Sequence, residues 1–260
     1  MTAHQIQPPL AQPTIVTEAS AADLIAQDYA VIPGRVLGSV LGVYDTAAEN
    51  DAEWQSFAAC WDRLTQDTYM GDNGRYRYRR YGRFEYRAED DSLHLLPHQP
   101  YMQPLSVNSL NGGFQRYFDP LEQTFVASPI LERLLLTMAR IYAAADGYES
   151  NWCIRLHPYR ITGSNGVPGK PTPEGLHRDG VTYIASMMVA RRNIAGGTTR
   201  LTTNDGETLA SVMLTDAMDM VLSDDERTMH EVSEIYALDN ERPSYRDVLV
   251  IAFERMEAFD

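Results

Sequence analysis

The sequence contains no apolar run of 18 or more residues, which excludes a membrane-spanning helix. It does not open on a basic flank followed by an apolar stretch, so no secretory leader is expected. Cysteine is scarce. Cys60 and Cys153 are the only two, too few for a disulfide framework and in keeping with a reducing compartment. Positive charge is also outnumbered: 22 Lys and Arg face 36 Asp and Glu, giving a net charge of -14. An acidic surface repels phosphate backbones, which argues against nucleic acid as a general partner. A cytoplasmic protein without membrane or nucleic-acid partners is the expectation.

Several motifs are missing as well. There is no GxGxxG, HExxH, CxxC or GxSxG, so dinucleotide folds, zincins, zinc ribbons and the hydrolase elbow have no support. The stretch GSNGVPGKP resembles a phosphate loop, but Ser164 replaces its first glycine and Pro171 replaces the hydroxyl residue that would hold magnesium. It reads better as a mobile loop between strands, possible as a lid.

The 260 residues suit one domain, and a hydrophobic share of 44% leaves material for a core. Residues 1–16 read as a loose arm and 17–260 as a single domain, with its core mainly in 75–96 and 151–255. Ser20 with Asp23 resembles a capping box opening a short helix to Asp28. Trp54, Phe57, Ala58, Trp61 and Leu64 recur at helical spacing over 51–64. A third helix has Ser128 as N-cap, Pro129 at its first position, an apolar stripe of Leu131, Leu135, Met138 and Tyr142, and Gly147 beyond its end. Short alternating runs then predict strands near 151–160, 181–190, 197–203, 208–214, 217–222, 228–234 and 246–253. One or two more between 75 and 96 make about eight or nine, enough for a jelly roll with flanking helices.

Residues 75–87, RYRYRRYGRFEYR, interleave arginine with aromatics, a pattern that can bind single-stranded nucleic acid. The acidic background favours a strand instead. In that reading Tyr76 and Tyr78 pack inward, and Arg75, Arg77 and Arg79 meet water, acidic neighbours or a small anion.

The most informative segment is PTPEGLHRDG. Two residues apart on an extended chain, His177 and Asp179 point to the same side and can share one ion. His230, in DDERTMHEVSE, offers a third ligand from a later strand. Two histidines and one carboxylate on one face of an ion are the facial arrangement of non-heme iron oxygenases.

PTPEG-H-x-DG, Gly196-Gly197-Thr198, DDERTMHEVSE and YRDVLVIAFE together resemble the bacterial 2-oxoglutarate/Fe(II) dioxygenase family that contains L-isoleucine 4-hydroxylase and related free-amino-acid hydroxylases. The resemblance implies a double-stranded β-helix (a cupin-like jelly roll), mainly β with flanking helices. It also implies Fe(II) held by His177, Asp179 and His230, 2-oxoglutarate as co-substrate, and ascorbate as a helpful additive in vitro. A basic residue on the last core strand then meets the distal carboxylate of 2-oxoglutarate. Arg246 stands there, with Val248, Val250 and Ala252 continuing its face, and Arg242 is a nearby rival. Relatives outside the family carry Ser or Thr where Val248 stands, so that hydroxyl contact comes from elsewhere or is absent. Asp179 argues against halogenation, because the related halogenases leave a small residue at that place.

The resulting expectation is an oxygenase that hydroxylates or sulfoxidises a small molecule, a free L-amino acid or a derivative. The alternative is a metal-binding sensor of the same fold without efficient turnover. Two arginines are candidates for the substrate carboxylate. Arg155 shares a strand face with Cys153 and His157, and Arg116 lies in the glycine-hinged segment NGGFQRYFDP. A permanent structural carboxylate is the other possible partner for Arg155.

Overall fold

A computed structural model describes residues 13–43, 51–108, 110–164 and 166–256. Most of the expected arm, residues 1–12, lies outside the described residues. Residues 13–16 are already helical, because α1 runs Pro13–Gln27 and buries Val16, Ser20, Ala21 and Leu24 along one stripe. Ser20 is therefore an interior residue and not a cap. Packing of the stripe overrides the local capping signal.

Strand β1 (Tyr29–Ile32), α2 (Gly34–Leu41) and α3 (Ala52–Ala58) follow, and a 3-10 turn (Ala59–Arg63) continues α3. Asp51 caps α3 by accepting a hydrogen bond from the Trp54 amide at 2.9 Å. Next come β2 (Thr65–Gln66), β3 (Arg77–Arg79), β4 (Gly82–Arg87) and β5 (Ser92–Leu95). The stretch 75–96 thus holds three strands. After α4 (Gln123–Val126), the long helix α5 spans Pro129–Asp146 and buries the whole predicted stripe. Gly147 ends it in the left-handed conformation, and the Ser128 side chain makes no capping bond.

The remaining strands are β6 (Trp152–Thr162), β7 (Tyr183–Arg192), β8 (Ile194–Gly196), β9 (Thr199–Thr203), β10 (Thr208–Val212), β11 (Met220–Asp224), β12 (Thr228–Val232), β13 (Ile235–Ala237) and β14 (Tyr245–Arg255). The predicted seven are among them. The short strands β1, β2, β8 and β13 were not anticipated, since two to four residues carry too little periodicity to be seen.

Nine strands form the large antiparallel sheet, in the order β1-β11-β7-β14-β6-β3-β2 with β4 and β5 branching from β6. Strand β14 is its spine, paired along all eleven residues with β6. Period-2 alternation gives the sheet two different faces. On one, Trp152, Ile154, Leu156, Leu249, Ile251 and Phe253 join α1, α2, α3 and α5 in the principal core. On the other, Met188, Val221 and Val248 meet Leu201 and partly buried Leu209 and Val212 from the small sheet β10-β9-β12. Two facing sheets with helices on the outer face make this a jelly roll.

Candidate active site

The site lies between the sheets. His177 precedes β7 and forms an isolated antiparallel bridge to His230 on β12. Asp179 follows two residues later. One ligand atom from each of these three side chains lies within 4.8 Å of the others, the group among the described residues best placed to hold a metal. The His177 Nδ1 lies 2.9 Å from the Gly175 carbonyl, which leaves Nε2 for a metal. Burial and the neighbouring His177 push the His230 pKa down to about 3, so the ring is neutral, as a ligand must be. Burial also opposes a proton on His177, but the Asp179 and Glu174 carboxylates outweigh it and raise that pKa.

The Asp179 turn is fastened from below. Asp225, fully buried between β11 and β12, accepts backbone N–H bonds from Asp179 at 2.9 Å, Gly180 at 2.8 Å and Val181 at 3.0 Å. Its carbonyl accepts from Arg178 Nε. Burial, with the Asp179 charge adding to it, raises the Asp225 pKa. Sequence reading missed this residue: DDERTMHEVSE contains it, but nothing local marks it as a brace for a turn 45 residues earlier.

Arg246 reaches the same cavity from β14 and is 2% exposed. Its Nε and Nη2 have no hydrogen-bond partner among the described residues. Burial and nearby Arg191 pull its pKa down to about 10. Buried N–H groups that point into a cavity without an acceptor call for an anion. Arg242 is exposed, pairs with Asp239 at 3.1 Å and lines a different, larger cavity of about 460 Å³ with Trp61 and Arg160. That cavity holds none of the three candidate ligands. Val248 and Val250 line the inner cavity, and Ser186, the cross-strand partner of Val250, lies with them.

A second basic group lines the same cavity. Tyr76 is buried and Arg75 exposed as expected, but Tyr78 is only partly buried and Arg77 and Arg79 also point inward, 5% and 1% exposed. The cause is nonlocal. Buried Asp67 pairs with Arg77 at 2.8 Å, and the rings of Phe118 and Tyr159 lie 3.8 Å and 4.6 Å from the Arg79 guanidinium. Arg79 also donates to His157 Nδ1, so that nitrogen is the acceptor. Burial first, then the Arg79 charge, holds the His157 pKa well below its usual value. Two of the arginines in this stretch are thus turned away from solvent.

Arg116 is 1% exposed, donates to Gln103 Oε1 at 2.9 Å and stacks 4.7 Å from the Tyr101 ring. Arg155 is elsewhere. It pairs with Glu254 and does not line the cavity. The segment read as a mobile loop is tied to β12 and β13. Gly169 and Ile235 exchange backbone bonds of 3.0 and 2.9 Å, and the Val232 amide donates to Thr172 Oγ1 at 3.0 Å. Residue 165 of that segment lies outside the described residues. Pro171, Thr172 and Glu174 form part of the wall.

The family described as 2OG-Fe dioxygenase matches residues 58–252. The chain belongs to that family. It is 24% identical over 242 residues to 3(1)-hydroxy-L-isoleucine 4-dioxygenase of Pantoea ananatis, covering 91% of this chain and 96% of that one. Among solved structures, a bsmA homolog from Methylobium petroleophilum PM1 is 30% identical with a TM-score of 0.80, over 92% of each chain. IDO from Bacillus thuringiensis has a TM-score of 0.74 over 99% of each chain; at 15% identity it bears on the fold alone.

This 2OG-Fe dioxygenase is thus a 2-oxoglutarate-dependent oxygenase, and its family implies Fe(II) and 2-oxoglutarate. The residues present fit both groups. Two imidazoles and a carboxylate suit ferrous iron with positions left open, and the unpartnered Arg246 fork suits a carboxylate.

Proposed function

We propose that this dioxygenase hydroxylates a free L-amino acid, with His177, Asp179 and His230 holding Fe(II) and Arg246 receiving the distal carboxylate of 2-oxoglutarate. Bound iron, 2-oxoglutarate and dioxygen supply the oxidant, with succinate and carbon dioxide released. The chain's own part is binding, orientation and exclusion of water. Ile161, Val232, Val248 and Val250 provide apolar wall around the metal ligands.

The observation that carries the substrate reading is Arg116. It is buried in the cavity and forms no ion pair among the described residues. Asp67 is shared between Arg77 at 2.8 Å and Arg79 at 3.9 Å, so it does not neutralise both. Besides Arg246 there is thus cationic capacity in the cavity for one more carboxylate. The relative from Pantoea ananatis, named for a hydroxylated isoleucine, supports the same substrate class. The cavity encloses about 70 Å³.

The test is a screen of the twenty L-amino acids with Fe(II), ascorbate and 2-oxoglutarate, read by succinate release and product mass. One or more should give coupled turnover with a mass gain of one oxygen. Succinate formation indifferent to every amino acid would reject the reading.

A further inference from the structure

Glu174 has no role in the assignments above, yet its environment is unusual. Its side chain is 10% exposed and lines the cavity. Oε2 is buried without a hydrogen-bond partner among the described residues. Oε1 lies 3.6 Å from His177 Nε2 and 3.5 Å from Asn108 Nδ2. The close-set metal-ligand group comprises His177, Asp179 and His230 and does not include Glu174.

Glu174 is one end of a polar chain. Asn108 Nδ2 donates to Gln103 Oε1 at 3.3 Å as well as facing Glu174, and Arg116 donates to the same Gln103 oxygen at 2.9 Å. Gln103 Nε2 in turn reaches Asp179 Oδ1 at 3.4 Å. One wall of the cavity therefore carries an anion at one end, a cation at the other and two amides between them.

Charge balance points the same way. Fe(II) would be matched by Asp179 and the carboxylate of 2-oxoglutarate that chelates it, and Arg246 by the distal carboxylate. Arg77 and Arg79 share Asp67, and the Glu174 charge bears on Arg77 as well; Glu174 Oε2 still has no hydrogen-bond partner among the described residues, and Arg116 pairs with no carboxylate among them. We infer that Glu174 is the receptor for the α-ammonium group of the substrate, and that Asn108 and Gln103 hold it at a fixed span from the carboxylate site at Arg116. A des-amino acid keeps the carboxylate but lacks the ammonium and would leave Glu174 buried and unpaired, so the wall selects zwitterions over simple carboxylates. This rests on the amino-acid reading and adds to it the group that recognises the amine.

The experiment measures binding without turnover. Co(II)-loaded, 2-oxoglutarate-saturated enzyme is titrated calorimetrically with the twenty L-amino acids. It is then titrated with des-amino counterparts, such as 3-methylpentanoate for L-isoleucine and 4-methylpentanoate for L-leucine. Wild type should prefer the amino acid by about thirtyfold or more, the lower end for breaking a desolvated charge pair. Glu174→Gln, which keeps the shape, should erase that preference while Co(II) and 2-oxoglutarate still bind as in wild type. Two results would overturn the assignment: an intact preference in Glu174→Gln, or a loss of Co(II) affinity that makes Glu174 part of the metal site. Equal wild-type binding of acid and amino acid would overturn it without any variant. If no amino acid binds wild type, the amino-acid reading itself falls.

Discussion

His177 and His230 exchange both backbone hydrogen bonds, 3.0 Å one way and 2.8 Å the other, and their rings lie 4.4 Å apart. A directly opposed antiparallel pair puts both side chains on one face, so a single register fixes two of the three proposed ligands. The third, Asp179, follows from the alternation of the same chain. A facial site has no spare protein ligand. His177→Ala, Asp179→Ala and His230→Ala should each abolish coupled turnover, whereas wild type should bind one Fe(II) per chain. Iron analysis and succinate assays on the folded variants check this. Near-normal activity with bound iron in any one of them would refute the ligand set.

Arg246→Ala should raise the 2-oxoglutarate requirement far more than the substrate requirement. Leaving a buried carboxylate unpaired costs about 2–5 kcal/mol, or roughly thirtyfold and upward in affinity. Arg246→Lys should recover little, because it keeps the charge without the planar fork. Arg242→Ala should leave the 2-oxoglutarate requirement unchanged, since that side chain is exposed and pairs with Asp239. The opposite pattern would exchange their roles.

Asp225 makes a separate prediction about positioning. Removing its carboxylate in Asp225→Ala strands three N–H donors of the Asp179 turn, that of Val181 buried. Stability should fall by about 2 kcal/mol or more. Outer-shell partners of metal ligands commonly govern affinity by about 10–100-fold, and Fe(II) affinity should fall within that range. Denaturant melts and metal titration give the two readouts. A destabilised variant with unchanged metal affinity would leave Asp225 as architecture alone.

The parts of the site that were legible in the sequence are those with a local signature. His177 and Asp179 are spaced for one side of an extended chain, and Arg246 stands at the head of the apolar run YRDVLVIAF. The second wall left no such trace. Gln103 and Asn108 sit in a loop without periodicity. The inward turn of Arg77 and Arg79 depends on Asp67, Phe118 and Tyr159, contacts that cross strands and a long loop. A strand's alternation defines two faces but not which is interior; charge would place arginine outside unless the partner were known. Ser20 failed for a related reason, as a capping pattern cannot report the buried stripe that runs through it.

Tyr142 tests packing far from the chemistry. Its ring stacks on Tyr183 at 4.2 Å and 3°, but its buried hydroxyl has no hydrogen-bond partner among the described residues. Tyr142→Phe keeps the ring and removes the unsatisfied group. Stability should hold or rise by about 1 kcal/mol, read as an unchanged or higher melting temperature. A clear loss would show that the hydroxyl has a partner after all.

Arg155 is the first sequence candidate for the substrate carboxylate and Arg116 the second, and their surroundings separate them. Arg155 is held by Glu254 across β6 and β14 and does not line the cavity. Arg116 lines it, buried and without an ion pair among the described residues. The comparison of a free amino acid with its methyl ester decides the matter, because the ester removes the anion and little else. Wild type should turn over the acid and lose coupling with the ester. Arg116→Ala should weaken binding of the acid by about 2–5 kcal/mol, the range for truncating one partner of a buried charge pair. It should also shrink the discrimination between acid and ester while leaving the 2-oxoglutarate requirement near normal. Arg155→Ala should keep that discrimination and show only lower stability, in proportion to the loss of its Glu254 partner. Full acid-over-ester selectivity in Arg116→Ala, with selectivity lost in Arg155→Ala, would require Arg155 to leave Glu254 and enter the cavity, and would overturn the placement of the carboxylate site.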